Sequence, residues 1–275
     1  MNQYPRLGPL LRLILIAVLV GPLLIGPLVA IYSELLGILV VELAIVLFVG
    51  LFVRYHRFVA EDVLLLNAVR PPVLLAAAAT AICAGLAIAD LETGSAALLQ
   101  HLDLAMPLGL QQSMLQIQIV RSAWQGILVA AAVVVSPGIG EELLFRGLVF
   151  TGLLVHRGPR VAIVGSALLF AAIHFRPWQL PALMLFGLFL AALVYWTHSI
   201  YPAMVAHWTN NLTSVAAVNL EVYWGIEPLA GDLHAVLLRA IMLSLAAALG
   251  LLWIRRQPPL LPMPAVGGRT AALPT

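Results

Sequence analysis

Uninterrupted apolar stretches of about 19 residues recur from one end of this chain to the other and constrain its fold more than any other feature. About 20 residues of helix, rising 1.5 Å each, cross a hydrocarbon layer of about 30 Å. A lipid-exposed backbone must satisfy its own hydrogen bonds, and short alternating strands are not visible, so the repeated elements are helices. Composition agrees: 63% of the residues are hydrophobic and 9% are charged, with a mean hydropathy of +1.05, whereas a soluble domain carries about 25% charged residues. The expectation is an all-α, polytopic transmembrane bundle forming a single integral membrane domain over residues 1–275.

Eight stretches are long or apolar enough to be read as crossings: 13–31, 35–53, 71–89, 122–155, 161–175, 177–197, 199–220 and 235–254. With the N-terminus inside, the cytoplasmic connections hold Arg6, Arg12, Arg54, Arg57, Arg70, Arg157, Arg160, Arg255, Arg256 and Arg269, and the external ones only Arg121 and Arg176. That asymmetry follows the positive-inside rule and supports an even number of crossings with both termini cytoplasmic; a bacterial plasma membrane is the expected location. The first run follows Arg6 and Arg12, is too long for a secretory h-region and lacks a small-x-small cleavage site, so it reads as a retained anchor.

All 14 cationic residues are arginine, the net charge is +2, and the arginines are scattered at helix ends. This excludes a phosphate-binding patch and a nucleic-acid partner. Cys83 is the single cysteine and lies in an apolar run, which leaves a buried structural thiol and no disulfide. Residues 90–121 mix polar and apolar types, as expected of a segment lying along the membrane surface. Residues 257–275, rich in Pro and Gly, read as a disordered tail.

Within this hydrocarbon the stretch "GIGEELLFRG", residues 138–147, keeps two adjacent carboxylates and a guanidinium. One charge at the centre of a bilayer costs about 2.5–3.5 kcal/mol on insertion scales, and neighbouring carboxylates repel. Glu142 and Arg146 are one helical turn apart in the acid-first order, so they can neutralise each other. Glu141 lies about 100° around the helix and is left over, a carboxylate suited to act as a general base. Pro137, Gly138 and Gly140 precede the pair, and the expectation is a kink or break there, with a new helical turn beginning at Glu141.

Two further constellations follow on later stretches. "FAAIH" sets Phe170 and His174 one turn apart, and "HWTNN" does the same for His207 and Asn211. A carboxylate, two imidazoles and an amide from three helices can polarise a water and stabilise an oxyanion, which amide hydrolysis requires.

The segments EELLFR (141–146), FAAIH (170–174) and HWTNN (207–211) resemble the motifs EExxxR, FxxxH and HxxxN of the CAAX-protease and bacteriocin-processing family of intramembrane proteases, also called Abi, which includes the Ras-converting enzymes. The resemblance covers residues 120–222, the expected catalytic core. It implies that Glu141 and His174 activate water, that His207 and Asn211 form the oxyanion site, that Glu142 and Arg146 position these groups, and that Phe170 packs beside His174. Its partners would be the lipid bilayer and a peptide or membrane-protein substrate, lipidated in the CAAX-type case and a leader peptide in the other.

Two versions of the chemistry stand side by side. Family members are often labelled metalloproteases, and Glu141, His174 and His207 make an acceptable Zn2+ set with one position open. There is no HExxH, however, and the same groups suffice with no cofactor and Glu141 as base. Serine chemistry fits worse, because Ser166 lacks a GxSG frame. Aspartyl chemistry does too, because Asp62, Asp90, Asp103 and Asp232 fall in or near loops.

Outside the motifs, Glu42 reads as a structural partner or a lining of the same cavity. His56, His101, His156, His198 and His234 read as solvated at helix ends. Gly165, Ser166, Gly187 and Ala191 read as small residues that let helices approach closely. The function expected is an intramembrane endopeptidase. A non-catalytic scaffold or bacteriocin-immunity protein, and a transporter using Glu and His as a relay, are the other classes the inventory allows.

Overall fold

The structure, a computed structural model, describes residues 4–102, 105–227 and 231–263. It is all-α, with no strand among the described residues. Nine helices carry the architecture: α1 (Leu7–Ala30), α2 (Glu34–His56), α3 (Pro71–His101), α4 (Leu108–Gln116), α5 (Ala123–Arg157), α6 (Pro159–Ala172), α7 (Leu180–Thr197), α8 (Tyr201–Trp224) and α9 (Leu233–Arg255).

All eight apolar stretches fall on helices, and six of these are long and apolar enough to cross a membrane: α1, α2, the first part of α3, α5, the Pro177–Thr197 segment containing α7, and α9. The other two miss for different physical reasons. Helix α6 has 14 residues, which reach only about 21 Å at 1.5 Å per residue. Helix α8 has 24 residues, enough to span, but its polar side chains lower its hydropathy. The protein is an integral membrane helical bundle.

Helix α3 packs along both α8 and α9, and α6 packs along α7. At the α6–α7 crossing a Cβ on Gly187 would stand 3.0 Å from the Ala167 backbone, so this glycine sets how closely the two helices approach. One partly buried ion pair pins α3 to α9: Arg239 Nε donates to Asp90 Oδ2 at 2.9 Å, and a second guanidinium nitrogen reaches Oδ1 at 2.6 Å. Asp90 was expected near a loop; it lies inside α3, fully buried, because this pairing compensates its charge.

The expected break before Glu141 is absent. Helix α5 runs continuously from Ala123 to Arg157, with π turns at Ala130–Val135 and Leu143–Val149 flanking the α-helical Ser136–Glu142. Pro137 opens that middle segment without kinking it apart, because the carbonyls it leaves without a backbone donor are taken by side chains. Ser136 Oγ donates to Ala132 O at 3.2 Å, and Asn211 Nδ2 to Val133 O at 3.0 Å. The residue that breaks the ladder therefore supplies the acceptor on which α8 docks.

Beyond α9, Met263 is buried in the core and the Leu261 carbonyl accepts from His198 Nδ1 at 2.9 Å. His198 is accordingly buried rather than solvated, since the chain after Arg256 folds back over it. The remainder of the expected disordered tail, 264–275, lies outside the described residues. Helix α4 has no buried residue, and the connection after it is tied to α8 by Asn219, which accepts from Val120 N at 2.9 Å and donates to Gln118 O at 2.9 Å.

Candidate active site

Glu141 and Glu142 end the middle segment of α5, and the π turn that follows keeps Arg146 on the face of Glu142. Arg146 Nη1 donates to Glu142 Oε1 at 3.0 Å, with both side chains fully buried. Nη2 reaches the Gly187 carbonyl at 3.3 Å, and the guanidinium carbon sits 4.3 Å above the Phe170 ring. A charge taken wholly out of water is thus held by a carboxylate, a carbonyl and a π face.

The same Glu142 oxygen accepts from His207 Nδ1 at 2.9 Å. A carboxylate only accepts, so Nδ1 carries the proton and His207 presents Nε2 on its other side. His174 is fixed in the same way by a different acceptor, the Phe170 carbonyl, 2.7 Å from its Nδ1. Both free Nε2 atoms point at Glu141: His174 Nε2 is 3.7 Å from Oε1 and His207 Nε2 is 3.8 Å from Oε2. These gaps exceed a direct hydrogen bond and suit a bridging water, which two polar partners on each side can hold.

Phe170 is the common wall of this cluster. Its ring lies 4.8 Å from that of His174 and 6.1 Å from that of His207, and it meets Phe145 edge-on. Phe186 on α7 meets His207 edge-on at 5.4 Å. Asn211 completes the set one turn after His207. Its Nδ2 donates to Val133 O, and its Oδ1 accepts from Asn210 Nδ2 at 3.4 Å. One amide hydrogen of Asn211 remains uncommitted.

Every residue singled out in the three motifs therefore lies in one region of the bundle, drawn from α5, α6, the turn after α6 that carries His174, and α8. Three contributors carried no motif signal. Glu42 on α2 is buried against Gly140, where a Cβ would come within 2.6 Å of its Oε2, and that oxygen has no hydrogen-bond partner. Trp208 lies against Gly138, whose missing side chain makes room for the indole, and Nε1 donates to Val135 O at 2.9 Å. Arg176, in the turn after α6, is within Coulombic reach of Glu141. The signal for the first two was the Gly-x-Gly spacing in "PGIGEE", which marks two close approaches rather than a break.

Among the described residues no group of three or more His, Cys, Asp and Glu is arranged to hold a metal ion. Glu141, His174 and His207, the expected Zn2+ candidates, nevertheless converge, with the two Nε2 atoms 3.7 and 3.8 Å from the Glu141 oxygens.

Fold and site together define a class: a helical membrane protein with a carboxylate–imidazole cluster buried between its helices. The family model of the type II CAAX prenyl endopeptidase Rce1-like proteins matches residues 123–213, which hold all seven motif residues. Over that segment the chain is similar to the Rce1-like proteins, which supports the resemblance read from the motifs. Neither a curated protein nor a solved structure matches the chain.

Proposed function

We propose that this protein is an intramembrane endopeptidase in which Glu141 is the general base. The observation that carries this reading is the convergence of His174 Nε2 and His207 Nε2 on opposite oxygens of one buried carboxylate, at 3.7 and 3.8 Å. The family match to residues 123–213 supports peptide-bond hydrolysis as the reaction class.

A water held between Glu141 and His174 gives its proton to the Glu141 carboxylate as its oxygen attacks the scissile carbonyl. His174 is fixed by the Phe170 carbonyl with its Nε2 lone pair inward, and it orients that water. The tetrahedral oxyanion is met by the uncommitted amide hydrogen of Asn211 and by His207. Donation from His207 Nε2 requires the ring to carry both protons, with Nδ1 held by Glu142 at 2.9 Å. Glu141 then returns its proton to the leaving amine, and the products are a carboxylate and an amine. Arg146 and Phe170 are positioning residues: one holds Glu142, and the other holds both imidazoles in place. Preorganised donors of this sort are each worth about 3–4 kcal/mol of barrier.

The substrate class that the family match favours is a C-terminal, CAAX-type peptide; a leader peptide would use the same site. The reading also takes the arginine-rich helix ends as cytoplasmic, and residues 120–222 as the catalytic core of a single domain. The test is cleavage of a membrane-soluble peptide library by purified protein in lipid nanodiscs. Wild type should release fragments that Glu141→Gln does not. Equal fragment release by the two proteins would remove Glu141 from the chemistry. Solute flux in proteoliposomes without peptide products would instead support a transporter.

A further inference from the structure

Between α3, α7 and α8 the bundle leaves a cavity of about 520 Å³, within the range of about 300–1,000 Å³ usual for ligand sites. Three of its wall residues touch the cluster or its immediate neighbours. Phe186 meets His207 edge-on, Asn210 donates to Asn211, and Gln179 accepts from Arg176 Nη1 at 3.3 Å. Gly85 of α3 forms part of the same wall, and any side chain there would strike the Asn210 amide. The cavity thus begins at the cluster and runs along α8 away from it.

Its walls are largely apolar, and its ionisable groups have one sign. Glu92, Glu221 and Glu227 line it, and among the described residues no arginine or lysine does. Glu92 is hydrogen-bonded to Gln179 through the side chains, whereas Glu221 and Glu227 are exposed at the far end. An anionic lipid headgroup would be repelled here, and an apolar tail alone would leave the carboxylates without a role. An apolar peptide with a cationic residue matches both features.

Resting on the peptidase reading above, we propose that this cavity is the groove for the substrate segment on one side of the scissile bond, and that Glu221 selects a lysine or arginine at a set distance from the cut. The helix fixes that distance. From Asn211 to Glu221 is ten residues of α8, about 15 Å at 1.5 Å per residue. An extended peptide advances about 3.3 Å per residue, so the cationic side chain falls about five residues from the scissile bond.

The experiment uses full-length protein in nanodiscs and two synthetic peptide series on one apolar sequence, with a single lysine scanned along the first and a single glutamate along the second. Wild type should cut best where lysine lies about five residues from the cut. Glu221→Gln should lower the ratio of lysine-peptide to neutral-peptide turnover about two- to fivefold. Glu221→Lys should move the preference to the glutamate series. Binding of the same fluorescent peptides to Glu141→Gln, with and without Glu221→Lys, separates the two claims. A lysine preference in binding that Glu221→Lys removes, without any cleavage, keeps the groove and sinks the peptidase reading. Cleavage with the same ratio in all variants keeps the peptidase and overturns the groove. A lipid that copurifies in the cavity and is displaced by no peptide overturns it as well.

Discussion

His207 Nδ1 and Arg146 Nη1 share a single oxygen of Glu142, at 2.9 and 3.0 Å, so the imidazole facing Glu141 is oriented by a carboxylate that is itself neutralised from the other side. This couples the least soluble charge in the bundle to the geometry of the site. Removing Arg146 alone leaves Glu142 buried without its cation, and Arg146→Met should lower stability by about 3–5 kcal/mol. The double variant Glu142→Gln/Arg146→Met should recover most of that stability and none of the activity. Thermal unfolding and turnover, measured on the same nanodisc preparations, separate the two effects.

Asn211 gives one amide hydrogen to Val133 O, and the proposed mechanism assigns the other to the oxyanion. Asn211→Leu should reduce kcat about 10²- to 10³-fold with little change in KM. A KM effect of similar size would instead make Asn211 a substrate-binding residue, and steady-state kinetics on one cleaved peptide reads the difference.

Asp90 on α3 and Arg239 on α9 pair with each other at positions outside the three motifs. Arg239→Ala should destabilise the bundle by about 1–3 kcal/mol through the Asp90 carboxylate left without its donor. Turnover per folded molecule should stay unchanged. Asp90→Asn/Arg239→Gln should restore unfolding close to wild type.

With Glu141 as the base and no metal in the reaction, stripping with chelator followed by dialysis should leave turnover unchanged, and elemental analysis of active protein should find no stoichiometric zinc. A stoichiometric zinc whose removal abolishes cleavage and whose return restores it would contradict Glu141 as a metal-free base.

His198 lies outside the spans, and its burial lowers its pKa from the ordinary value of about 6.5. The unfolded ring therefore binds a proton more readily than the folded one, so stability rises with pH through this window. The contribution is complete above about pH 6.5 and is lost as pH falls below it towards the folded value. Thermal unfolding between about pH 7 and 5 should show this loss in wild type and a flatter profile in His198→Gln.

The helices were legible because lipid leaves the backbone only one way to satisfy itself, and the three polar motifs because their residues recur at one-turn spacing on separate apolar runs. The Glu142–Arg146 pairing followed from the same spacing. Features that depend on contact between distant segments were not legible. Asp90 looked like a loop residue because its partner is 149 positions away, and His198 looked solvated because the chain returning over it comes after the last helix. Pro137 with Gly138 and Gly140 reads as a helix break by local rules. Only the arrival of Asn211, Trp208 and Glu42 from other helices explains why a helix continues through them.

The most direct test is a survey of membrane-protein and secreted-peptide termini in cells expressing wild type or Glu141→Gln at matched levels. The account predicts new termini that appear with wild type and vanish with Glu141→Gln, clustered about five residues from a lysine or arginine if the groove proposal also holds. Identical termini in the two strains, with a wild-type phenotype retained by Glu141→Gln, would contradict it and leave a scaffold or immunity protein.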